Sequence, residues 1–245
     1  MIKFFEALGN AVLITLKAFY FLFTKPPKFK HFVDQLAYLG AETVPVVVVT
    51  SLFTGGVIAL QTYSTFSRFN AESMIGIVVA LSMGRELGPV LTALMVVARV
   101  GSAMTANIGT MRITEQIDAL EVMAIDPVRY LVTPRIVSAL IGLPMLTLIS
   151  DISGIFGGWL VATKLFGVNP DIYWQKMIDF TELYDIIGGL YKSFFFGLII
   201  ASTSCYFGFF TSGGTKGVGR ATTNSVVTSS MLILISDYFL TAVIF

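Results

Sequence analysis

Charge-free runs divide the chain. Residues 43 to 67 contain no Asp, Glu, Lys or Arg, more than the roughly 20 apolar residues that cross a bilayer core. From Ser73 to Met111 the only charges are Arg85, Glu86 and Arg99. A straight helix of that length would measure about 58 Å at 1.5 Å per residue, so it must bend or project beyond the membrane. Residues 136 to 163 carry only Asp151, residues 186 to 215 only Lys192, and residues 221 to 245 only Asp237. The pattern predicts five spans, at 43–67, 73–111, 134–163, 184–210 and 221–245.

The first 24 residues differ, because Lys3, Glu6, Asn10 and Lys17 recur at helical spacing as a thin polar stripe on an apolar helix. Such a helix suits the membrane surface. A signal peptide fits less well, since Lys17 interrupts the apolar run before any small-residue cleavage site. Lys25-Pro26-Pro27-Lys28 then breaks the helix and opens a basic linker.

Composition agrees with a bilayer environment. Of 245 residues, 55% are hydrophobic and 13% charged, against roughly 45–50% and about 25% in soluble domains. Sixteen Lys and Arg against 15 Asp and Glu give a net charge of +1, which argues against nucleic acid as a partner. One cysteine, Cys205, and one histidine, His31, support neither a disulfide framework nor a multi-histidine metal site. They also leave an intramembrane enzyme without a convincing catalytic set.

With the N-terminus in the cytoplasm, the inner side holds Lys3, Lys17, Lys25, Lys28, Lys30, Arg112, Arg129, Arg135, Lys216 and Arg220. The outer side has only Arg68, Lys164 and Lys176. The positive-inside bias therefore predicts a cytoplasmic N-terminus and an outer C-terminus. The outer stretch 171–185 is acidic, with Asp171, Asp179, Glu182 and Asp185.

Between spans two and three, Ile113, Ile117, Leu120 and Ala124 fall on one helical face, away from Glu115 and Asp118. This amphipathic helix is either a solvated loop element or a docking element for a cytoplasmic protein. Asp126-Pro127 and Thr133-Pro134 each have the pattern of an N-cap followed by proline.

Ionisable groups inside spans are costly and are functional candidates. Helical rise places Arg85 and Glu86 about 18 Å along span two, and Asp151, Lys192 and Asp237 toward the same leaflet. The five are expected to form one intramembrane charge cluster, with Glu86 and Lys192 as its central pair. Its role is either functional or purely helix-orienting. Gly84 with Gly88, Gly154 with Gly158, and Ala98, Ser102 and Ala106 have the spacing that lets helices approach in lipid. Gly214 to Ala221 has Arg220 and Ala221 where a phosphate-binding loop needs Lys and Ser/Thr, so the chain shows no nucleotide site.

The runs Arg85-Glu86-Leu87-Gly88-Pro89-Val90, Ala98-Arg99-Val100-Gly101-Ser102-Ala103 and Gly109 to Glu121 strongly resemble the MlaE family of ABC-transporter permeases. Asp126-Pro127, Pro134-Arg135 and Gly219-Arg220-Ala221-Thr222-Thr223 continue the resemblance, which covers the chain from about residue 35 onward. Asn107 departs from it, standing where the family pattern has Glu before Ile-Gly.

The resemblance implies a single permease domain over residues 1–245, all-α, with an N-terminal interfacial helix, five transmembrane helices and a cytoplasmic coupling helix at 112–124. It implies a homodimer in a bacterial inner membrane that moves phospholipid to or from a periplasmic carrier. It also implies a cytoplasmic MlaF-like ATPase, an MlaB-like STAS protein and a periplasmic MlaD-like MCE protein. ATP is then used by the partner, and the chain itself binds no cofactor. Ile113, Glu115, Ile117, Asp118, Leu120 and Glu121 would engage the ATPase. Leu60 and Tyr63, with Glu86 close by, would contact lipid, although Tyr63 also suits an interfacial anchor and Leu60 plain packing. The contrasting class is an ion- or proton-coupled transporter or channel using the intramembrane charges.

Overall fold

The computed structural model describes residues 2–24 and 29–245, with side chains described for 9–24 and 30–245. The linker expected at Lys25 to Lys28 lies outside the described residues, as do the side chains of Lys3 and Glu6 in the N-terminal stripe. The described residues form eleven α-helices and no strand. They are α1 (Ile2–Thr24), α2 (Phe29–Gly40), α3 (Val44–Phe66), α4 (Ile75–Ser82), α5 (Gly88–Val96), α6 (Ser102–Ile113), α7 (Gln116–Val122), α8 (Thr133–Leu160), α9 (Pro170–Phe180), α10 (Leu183–Phe209) and α11 (Gly214–Ile244).

Five helical stretches are long and apolar enough to cross a membrane: Lys30–Phe69, Glu72–Ile113, Val128–Leu165, Leu183–Phe209 and Gly214–Ile244. α1 is a shorter apolar helix. It leaves Leu13, Leu16, Tyr20 and Phe23 exposed, the surface expected of a side chain set that meets lipid.

The 42-residue stretch Glu72–Ile113 is broken by π-helical turns at Met83–Leu87 and Val97–Gly101, which contain Arg85 with Glu86 and Arg99. Proline explains the first. Pro89 has no N–H to give the carbonyl of Arg85 four residues earlier, so the helix widens there. The same logic applies at Val128–Val132, a π turn that leads into α8 just before Pro134. There the expectation for Asp126-Pro127 and that for Thr133-Pro134 separate. Asp126 Oδ1 accepts from the N–H groups of Val128 and Arg129 at 2.9 and 3.3 Å, as an N-cap does. Thr133 is not a cap outside a helix but the first residue of α8, continuous with the π turn, and its hydroxyl donates back to Val128 O at 3.3 Å.

The chain folds as two compact units, each assembled from three separate stretches of sequence. The first comprises Met1–Ala41, Val96–Gly142 and Phe194–Ser236. In it α6, α10 and α11 are tied by buried hydroxyls: Thr105 donates to Ser225 Oγ at 2.9 Å and lies 3.1 Å from Ser204 O. A sequence reader sees these only as small residues. Arg135 is buried here, donating to Leu131 O at 2.9 Å and to Asn107 Oδ1 at 3.0 Å. Asn107 is thus the neutral partner of a buried guanidinium. Asn107→Ala is expected to lower stability by about 1–3 kcal/mol, the cost of removing a partner from a buried charged donor, measured by thermal unfolding in detergent.

The second unit comprises Glu42–Met95, Leu143–Ser193 and Asp237–Phe245. Glycine permits its tightest crossings. A Cβ on Gly157 would lie 2.0 Å from Leu52 O, one on Gly55 1.8 Å from Gly154 O, and one on Gly189 1.9 Å from Gly84 O. Ala59, Ile75, Val79, Met83, Ala162 and Tyr173 form its apolar core. Burial pushes the Tyr173 phenol, on α9, above its ordinary titration range.

Candidate functional site

Lys192, on α10, is fully buried. An ammonium in an apolar helix is tolerated only when its charge and all three protons find partners. Its Nζ donates to Glu86 Oε2 at 2.7 Å, to Thr241 Oγ1 at 2.7 Å and to Arg85 O at 2.9 Å, and lies 3.2 Å from Asp237 Oδ1. The Arg85 carbonyl is the one that Pro89 leaves without its helical donor. One proline therefore creates both the π turn and an acceptor for the lysine.

Arg85 turns to a different acid. Its guanidinium contacts Asp185 Oδ1 at 2.6 Å from Nη2 and 2.9 Å from Nε, and lies 4.8 Å from the centre of the Phe245 ring. Tyr184 donates to the carbonyl of Ile244, which holds the C-terminal turn beside this pair. Sequence context alone puts Asp185 in an acidic outer stretch. α10 begins at Leu183, however, so Asp185 lies inside the helix and within reach of Arg85.

Four of the five expected cluster members meet: Arg85, Glu86, Lys192 and Asp237. The fifth does not. Asp151 lies against Gly88, and neither of its carboxylate oxygens has a hydrogen-bond partner. Equal distance along a span fixes depth but not azimuth, and α8 turns Asp151 toward α5 rather than toward Lys192. The network also leaves two charges partly open. Glu86 and Arg85 side chains keep 38% and 40% of their exposure, so adjacent negative and positive groups stand at one π turn.

Leu60 is exposed on α3. Tyr63 is half-buried, stacked on Phe166 with ring centres 3.8 Å apart and planes within 7°. One face of that ring is therefore committed to internal packing.

The segment expected as a helix over 112–124 is divided. α6 continues to Ile113, Glu115 takes a left-handed φ of 60°, and α7 runs only from Gln116 to Val122. Ile117 is 2% exposed, so it packs α7 against the chain itself. Ile113 and Leu120 are half-buried, while Glu115, Asp118 and Glu121 are exposed. Asp118 pairs with Arg112 at 2.5 Å. The exposed apolar residues are instead Val122 and Met123, at 88% and 61%. The helical-face pattern misses them because it assumes an unbroken helix. On the neighbouring surface Lys17 of α1 pairs with Asp126 at 2.7 Å.

Comparison with known proteins gives this arrangement a family. A model described as "Permease MlaE" matches residues 32–243. The chain is 47% identical over 244 residues to a probable ABC transporter permease protein of Rickettsia felis, covering 100% of this chain and 94% of that one. It is 40% identical over 241 residues to a probable ABC transporter permease protein of Synechocystis, covering 98% and 92%. It is 39% identical over 249 residues to the intermembrane phospholipid transport system permease protein MlaE of Haemophilus influenzae, covering 100% and 94%. A multi-pass helical membrane protein with a glycine-tightened core and an ion network inside its apolar helices, the chain belongs to the MlaE permease family.

Proposed function

We propose that the chain is the permease subunit of an ATP-driven phospholipid transporter, working as a homodimer in a bacterial inner membrane with its N-terminus in the cytoplasm. An MlaF-like ATPase supplies ATP hydrolysis from the cytoplasmic side, with an MlaB-like STAS protein as its companion. A periplasmic MlaD-like MCE protein exchanges lipid with the outer side, in the service of outer-membrane lipid homeostasis. The observation that carries this reading is the half-open charge pair Arg85 and Glu86, set into an otherwise apolar helix. An amphipathic ligand matches that surface: acyl chains pack along residues such as Leu60, and the polar head reaches the charges. The lysine network holds the π turn in place while lipid enters and leaves.

In this scheme ATP-driven closure of the ATPase pair moves the 112–124 segments and reshapes a cavity between two copies of the chain. Energy input biases a conformation only through contacts that differ between states. Val122 and Met123 supply such a contact, with Glu115 and Glu121 as polar neighbours.

Two measurements test these assignments. Val122→Glu together with Met123→Glu is expected to abolish capture of the ATPase while leaving the thermal midpoint of the permease within about 2 °C, since exposed sites rarely matter for stability. Retained capture would move the contact elsewhere. A photoactivatable phospholipid is expected to label a cysteine at position 63 above a lipid-facing control on α11. Equal labelling would make Tyr63 a packing residue.

A further inference from the structure

Asp151 is 5% exposed, and both carboxylate oxygens lack a partner. Its surroundings contain further acceptors. A Cβ on Gly88 would lie 1.8 Å from Asp151 Oδ1 and 2.7 Å from Met83 O, a carbonyl that accepts the Gly88 N–H of the π turn and keeps a second lone pair. Contacts of Gly158 with Val79, Gly154 with Met83 and Gly88 with Asp151 make α8 antiparallel to the α4–α5 stretch. Carried one turn further along both helices, this register sets Thr92 of α5 opposite Thr147 of α8.

Side chains on a helix lean toward its N-terminus. Thr92 therefore leans toward Gly88, and Asp151 leans toward Thr147 and Thr92. The Thr92 hydroxyl is also buried and without a partner, whereas Thr147 spends its proton on Leu143 O at 3.0 Å. A carboxylate and a carbonyl offer only lone pairs. The Asp151 oxygens and the Thr92 hydroxyl, buried and unmatched, point to an occupant such as an ion or water.

We propose that Asp151, Met83 O and Thr92 form a binding site for a small monovalent metal cation, with Na⁺ as the probe. All three donors are hard oxygens, the class that hard cations prefer. A single carboxylate balances one positive charge, and no cluster of three acidic, histidine or cysteine side chains exists among the described residues to hold a higher one. Gly88 is integral to the site, since any side chain there would displace Oδ1. The bound cation neutralises Asp151 and joins α5 to α8. This site is separate from the Lys192 network and does not depend on the transported molecule being a lipid.

The purified full chain in nanodiscs is to be melted in NaCl and in choline chloride at equal ionic strength. A saturable rise in the thermal midpoint with Na⁺ is expected, because a ligand that binds only the folded state stabilises it. The rise is expected to vanish in Asp151→Asn. In Thr92→Val the half-saturating concentration is expected to increase by about tenfold or more, typical for loss of a supporting metal contact. Binding of radioactive Na⁺ to the unmutated chain, at one ion per chain, serves if Asp151→Asn does not fold. Equal midpoints in the two salts, showing water alone at the site, would overturn the proposal. So would a Na⁺ response that persists in Asp151→Asn, or an infrared band of a neutral carboxyl that is lost in that variant and indifferent to Na⁺.

Discussion

Lys192→Ala is expected to lose about 3–5 kcal/mol of stability, the usual cost of removing one partner from a buried ion pair. For a chain of this size that is on the order of a 10 °C fall in thermal midpoint. The reason is the asymmetry of the network. Lys192 is fully buried and is bonded to Glu86, Thr241 and the Arg85 carbonyl, with Asp237 3.2 Å away. Its removal leaves two carboxylates facing each other in an apolar helix bundle. Glu86→Gln alone is expected to cost less, because Asp237 remains to balance the lysine. The double variant Lys192→Ala with Glu86→Gln is expected to be more stable than the sum of the single losses predicts, since one of the stranded charges is gone. Strict additivity in midpoint and in lipid transport would mean that the two side chains do not act as a pair.

Gly157→Leu is expected to be at least as damaging. A Cβ there would already lie 2.0 Å from the carbonyl oxygen of Leu52, and a backbone atom cannot swing aside as a side chain does. α3 and α8 would have to separate, taking with them the neighbouring Gly55 to Gly154 contact and the Ser51 to Ser150 hydrogen bond of 2.7 Å. Overpacking in soluble cores costs about 1–3 kcal/mol, and close small-residue crossings are a main source of helix association in lipid. Loss of folded yield in size-exclusion chromatography is the expected readout. Gly219→Ala is the control, because nothing lies within 4 Å of the added methyl. It is expected to change stability by no more than about 1 kcal/mol, in the favourable direction for a helical position. Similar behaviour of the two variants would show that close approach of α3 and α8 is not required.

The five apolar stretches are legible in the sequence because membrane crossing demands length and apolarity together, and both are written in the order of residues. That the stretch from Ser73 to Met111 cannot be one straight crossing is also legible, from arithmetic. The place and form of its interruptions are not. The first follows from Pro89 withdrawing a donor from Arg85, an effect that becomes visible only when Lys192 is seen to occupy the freed carbonyl.

The charge cluster shows the same limit. Depth along a helix can be counted, and counting brings Glu86, Lys192 and Asp237 together as the structure does. Rotation about the helix axis cannot be counted across bent segments, so the same arithmetic groups Asp151 with them and leaves Asp185 among the acidic outer residues, outside the cluster. In the 112–124 segment, periodicity identifies an apolar face but not the break at Glu115. It therefore selects Ile117, which is internal, and passes over Val122 and Met123, which are exposed. Buried hydroxyl pairs such as Thr105 with Ser225 have no sequence signal beyond small size.

The most direct test is gentle extraction of the chain from its native membrane, followed by mass spectrometry of the proteins and lipids that come with it. A dimeric permease accompanied by an ABC ATPase and by phospholipid, with the lipid reduced when Glu86 is changed to Gln, is the expected result. A single chain that carries no ATPase and no phospholipid above the level of a control membrane protein would contradict the account.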